Sequence, residues 1–132
     1  MNPKLSAIDY LRNLFIEEFK KLPQSSQDAI SKSVGNYIKT ADQFLTELKG
    51  DDDLVGRLLY EVCYNGPIWR GYEGLFPITS IGLEPVFESP ETDVFRHGKT
   101  YVQVTSQGGG DFVYDFVKPK TIKVPTKIYV KI

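Results

Sequence analysis

The chain has 132 residues, 41% hydrophobic and 25% charged, with a formal net charge of −1. Those proportions belong to a globular domain with an apolar core and exclude a highly charged, unfolded chain. The charge is even along the length: residues 1–65 carry eight Lys+Arg against ten Asp+Glu, a balance of −2, and residues 66–132 carry eight against seven, a balance of +1, so the basic excess of a general nucleic-acid binder is missing.

Helix signals fill the first half. Asn2-Pro3 reads as an N-cap and first helical residue. Leu5, Ile8, Leu11, Phe15, Phe19 and Leu22 then recur at three- and four-residue spacing as one apolar stripe, and Pro23 ends it. Ser25 or Ser26 opens a second predicted helix. Ile30, Val34, Tyr37, Ile38, Ala41, Phe44, Leu45 and Leu48 form its stripe, and Lys49-Gly50 stops it. Gly35 inside it costs roughly 1 kcal/mol relative to alanine. A third helix follows Asp51-Asp52-Asp53, with Leu54, Val55, Leu58, Leu59, Val62 and Cys63 on its apolar face and Asn65-Gly66-Pro67 at its end.

Beyond Gly66 the pattern changes to β. Ile68 to Phe76 is dense in aromatics and glycine and reads as a bridging stretch or first strand. Pro77–Ser80 and Pro85–Glu88 read as short strands whose prolines confine them to starts or edges. From Thr92 to Lys118, β-formers fall in short runs broken at His97-Gly98 and at Gln107–Asp111, the marks of a turn and a flexible loop in a meander. Pro119 is expected to end that run. Ile122–Val124 and Lys127–Ile132 alternate apolar and polar on either side of Pro125. The expected fold is α+β: about three N-terminal helices packed on a C-terminal antiparallel sheet of four to six short strands, in one domain with a helical layer over 1–65 and a sheet layer over 66–132.

Cys63 is the only cysteine, which rules out an intramolecular disulfide and leaves no cysteine-based zinc site to expect. Three adjacent aspartates cannot all face one ion, so Asp51–Asp53 read as a helix cap and first turn rather than a metal site. Gly108-Gly109-Gly110 precedes a strand, not a helix, and reads as a hairpin loop rather than a phosphate cradle. No cofactor or metal is expected. The opening residues lack a signal-peptide core, and no run reaches the roughly 20 apolar residues of a bilayer span. The expected location is therefore cytoplasmic, without membrane contact.

The expected function is a non-enzymatic protein-binding module, such as a small inhibitor, immunity or adaptor protein. Trp69, Arg70 and Tyr72 belong to the residue types richest in interface hot spots. Asp51, Asp52 and Asp53 would meet basic groups of a protein partner. Nucleic acid is a less favoured partner.

The alternative is a small metal-independent ribonuclease-type toxin. It would use His97 as acid or base, Arg96 and Lys99 as phosphate-holding cations, and Thr105, Ser106 or Tyr114 nearby. A third reading is a structural subunit of a phage or secretion assembly, its sheet edges pairing between copies. Lys118, Lys120, Lys123, Lys127 and Lys131 stand within fourteen residues without an acid. They read as protection of an exposed strand edge in preference to an anion-binding stripe.

Overall fold

The computed structural model describes residues 5–25, 27–28, 31, 40–64, 82–109 and 111–132, with the backbone alone over 60–64. The chain divides into two compact units, one of residues 9–81 and one of residues 1–8 with 82–132. The described elements of the first are helices and the second carries the sheet, so the order is α+β as expected.

Helix α1 spans Ala7–Lys20, α2 Ala41–Gly50 and α3 Asp52–Tyr64; residues 24–25, 27–28 and 31 are helical as well. The first helix begins later than its apolar stripe suggests. Leu5 precedes it and is 49% exposed. Ser6 stands at the favoured capping position, with Asp9 three residues on in the first turn. The proposed Asn2-Pro3 start lies outside the described residues. Leu11, Phe15 and Phe19 are fully buried, as their spacing requires, and the Phe19 ring stacks on Phe44 of α2 at 4.5 Å.

The helix expected to run from Ser25 or Ser26 through Leu48 is broken at Thr40. That residue has extended backbone angles, and its hydroxyl accepts the Gln43 N–H at 3.1 Å. Thr40-Ala-Asp-Gln43 matches the Ser/Thr-x-x-Glu/Gln start signal, and the local cap overrides the longer apolar period. Gly35 lies outside the described residues. One residue then serves two helices: the Asp51 N–H donates to the Glu47 carbonyl and ends α2, while its carboxylate accepts the Asp53 and Leu54 N–H groups and starts α3.

Arg12 ties the three helices. Its Nε donates to the Leu48 carbonyl at 2.9 Å, and its terminal nitrogens hold Asp9 and Asp52. The guanidinium thereby meets the negative end of α2 and an acid from the first turn of α3, where helix dipoles favour each sign. Its side chain is only 11% exposed, so the charge is sheltered and satisfied by three acceptors.

Among the described residues the sheet has five antiparallel strands in chain order: β1 Leu83–Glu88, β2 Thr92–His97, β3 Thr100–Gly108, β4 Asp111–Lys123 and β5 Thr126–Lys131. The β2–β3 turn sits one residue later than expected. His97 still pairs with Thr100, and Gly98, at φ +61°, is the first residue of the two-residue turn. Hairpin turns that match strand twist demand positive φ there, so glycine rather than histidine takes the place. The expected flexible loop over Gln107–Asp111 is instead a tight turn, because Gly108 and Gly109 adopt φ of +84° and +62° and Gly108 pairs with Asp111.

Pro119 does not end its strand. β4 changes partner at Val117, pairing with β3 before it and with β5 after it. Ile132 donates its N–H to the Phe116 carbonyl. Counting from that bond by twos, Pro119 and Tyr129 form a pair without ladder bonds, and β3 has already ended. The missing N–H of Pro119 therefore breaks nothing.

Alternation and register divide the side chains between two faces. Leu83, Phe95, Val102 and Val104, all fully buried, share one face with Phe112, Tyr114, Phe116, Ile128 and Val130. The other face carries Phe87, Val94, Tyr101, Val117 and Tyr129. In a flat sheet β1 and β5 would stand about 19 Å apart. Yet the Phe87 ring lies 6.1 Å from Tyr129, and the Tyr101 ring 5.8 Å from Tyr129. The sheet is thus strongly coiled, with this second face concave and Val94 and Val117 at its floor, each 1% exposed. Register shifts at Pro85/Phe87, Ser106/Gly108 and Thr121/Lys123 supply the bending.

Candidate functional site

The three aspartates between α2 and α3 have separate tasks. Asp51 caps α3, Asp52 binds Arg12, and Asp53 is exposed in the first turn. With Thr46, Glu47 and Gly50 they line an open depression of about 530 Å³. No group of three or more His, Cys, Asp or Glu side chains among the described residues could hold a metal ion. Asp53 and Glu47 are the acids of this depression that neither cap α3 nor hold Arg12.

Arg96 and His97 are neighbours in sequence but lie on opposite faces of the sheet. Adjacent strand residues face opposite ways, so Arg96 lies on the concave face, where it pairs with Glu84 across the β1–β2 ladder. His97 lies on the other face, beside Gly82, where an added Cβ would stand 3.7 Å from its ring. Lys99 is exposed in the turn. Thr105 is five residues along β3 from the partner of His97, about 17 Å at the usual strand rise, and Tyr114 pairs with Val104, about 13 Å along. The structure pairs Arg96 with Glu84 on the face opposite His97.

Trp69, Arg70 and Tyr72 lie outside the described residues. The described surface contributes a region not singled out from the sequence. Of the eight exposed large apolar side chains among the described residues, six belong to the β4–β5 segment: Phe112, Val113, Ile122, Val124, Ile128 and Ile132. The same segment carries Lys118, Lys120, Lys123, Lys127 and Lys131, all exposed. Asp115 lies 3.5 Å from Lys131; among the described residues no acid pairs with the other four. The alternation Lys127-Ile128-Tyr129-Val130-Lys131-Ile132 was the signal for this surface. It does not say by itself that the strand lies at an edge with its apolar side uncovered.

Tyr129 joins this surface to the concave face. Its half-buried phenol is raised above its ordinary pKa, first by burial and then by Tyr101, with Arg96 opposing. Among the described residues no helix is long and apolar enough to cross a membrane. Comparisons with protein-family models, with curated proteins and with solved structures find no match.

Proposed function

We propose that the protein is a non-enzymatic protein-binding module of the inhibitor, immunity or adaptor kind, and that the β4–β5 segment is its contact surface. The observation that supports this reading is that four exposed large apolar side chains, Ile122, Val124, Ile128 and Ile132, fall within the β4–β5 hairpin among its exposed lysines. Single exposed apolar residues are ordinary, whereas several close in the chain and interleaved with charge suit a contact site. The separation of Arg96 from His97 across the sheet weighs against the ribonuclease alternative.

Affinity capture from the native host tests the proposal. The wild-type chain is expected to retain a defined protein. The variant Ile128→Ser with Ile132→Ser is expected to lose it while melting at a similar temperature, since both side chains are exposed. Equal capture by the two, or capture of nothing above a blank resin, removes the β4–β5 surface from consideration.

A further inference from the structure

We infer that β5 receives an extended acidic segment of a partner protein as a sixth strand, antiparallel to β5. This rests on the protein-binding reading and names the chemistry of its partner. Three observations meet at β5. First, it is an edge strand: its ladder is made with β4, and among the described residues no strand pairs with its other side. The Ile132 N–H bonds to Phe116, so by antiparallel alternation Ile128 and Val130 also turn their backbone groups to β4. Lys127, Tyr129 and Lys131 turn theirs outward, as a template for strand addition.

Second, the charge at that edge is mostly positive, with Asp115 of β4, 3.5 Å from Lys131, the acid beside it. The segment from Phe116 to Ile132 holds five lysines and no acid. Lys127 and Lys131 lie on the same face as Tyr129, two residues to either side. A strand added there places residues opposite Lys127 and Lys131 four apart. Carboxylates at those two places, with apolar residues between them, complement the edge. The same lysines disfavour a second copy: the fullest antiparallel pairing of β5 with itself centres on Tyr129 and sets Lys127 against Lys131 of the other chain, a like-charge pair. Third, Ile128 and Ile132, 39% and 81% exposed, offer apolar contact on the opposite face. Bases of a nucleic acid would find lysines there but no use for an open backbone ladder.

The test uses an array of short extended peptides that carry Glu at positions i and i+4 with Val, Ile or Tyr between. Controls are the same peptides with Lys in place of Glu, scrambled orders, and versions N-methylated at the ladder positions. Binding to the full chain is read by fluorescence anisotropy. Acidic alternating peptides are expected to bind, and N-methylation to abolish binding. Lys127→Glu with Lys131→Glu should weaken it by tenfold or more, on the order expected from like-charge contacts, and should turn preference to the Lys peptides. That reversal also shows that the variant is folded. Equal binding of scrambled or N-methylated peptides overturns the inference. So does an array without binders, tighter binding of single-stranded RNA, or a chain that elutes as a dimer held through β5. If host capture still depends on Ile128 and Ile132 while the array is silent, strand addition fails and the protein-binding reading stands.

Discussion

The ring of Phe87, in the first strand, lies 6.1 Å from the ring of Tyr129, in the fifth, though three strands separate them in the ladder. This contact expresses how far the sheet coils, because side chains from opposite edges meet over the concave face. A double-mutant cycle on Phe87→Ala and Tyr129→Ala should give a coupling of about 0.5–1.5 kcal/mol, the worth of an aromatic pair beyond its buried area. Urea unfolding of the four chains measures it. Additive effects would mean that the edges do not meet in solution.

Tyr129 should also make the protein sensitive to alkali. Its phenol is raised from the ordinary value near 10, so the folded chain holds this proton where the unfolded chain has begun to release it. The contribution is complete below the unfolded value and is lost as pH climbs through the folded one. Absorbance of tyrosinate should show one residue titrating late, and Tyr129→Phe should remove it. A late-titrating tyrosine that survives this substitution assigns the effect elsewhere.

In the helical unit, Arg12 is the substitution to make. Arg12→Ala removes the guanidinium from the Leu48 carbonyl and from two carboxylates. Asp9 and Asp52 are about half-exposed or more, with side-chain exposures of 47% and 68%, so the cost should fall near 2–3 kcal/mol, below that of a fully buried pair. Arg12→Lys should recover little of this, because one ammonium cannot reach three acceptors set out for a planar fork. Full recovery by lysine in thermal or urea unfolding would reduce the site to a simple charge contact.

Catalysis gives a further check. The purified chain should leave single-stranded RNA intact, and His97→Ala should behave as the wild type does. Cleavage by the wild type that the substitution abolishes would restore the ribonuclease reading, with His97 acting without Arg96 beside it.

Much of the fold was legible because it rests on periodic patterns. The apolar spacing of Leu11, Phe15 and Phe19 led to a buried helix face, and the runs from Val94 to Val117 led to an antiparallel meander. Boundaries were harder to read where a local device overrules the period. Thr40 breaks a stripe that continues through it, and Gly98 draws the turn away from His97. Pro119 stays within its strand because its partners make no use of an N–H there. The exposed apolar residues of β4–β5 and the coiling of the sheet were least legible. Phe87 and Tyr129 are 42 positions apart, and nothing local announces that their rings meet. Nor does the run from Lys127 to Ile132 reveal which side of its strand is bare. Asp51 was readable as a cap from its place before an apolar run, but the tie from Asp52 to Arg12, forty positions away, was not.

Amide hydrogen exchange along β5, with and without the captured partner, tests the account most directly. In the isolated chain the Ile128, Val130 and Ile132 amides, bonded to β4, should exchange slowly, and those of Lys127, Tyr129 and Lys131 fast. In the complex these last three should become slow as well. Slow exchange of all six in the isolated chain, or a complex that leaves Lys127, Tyr129 and Lys131 as fast as before, would contradict it.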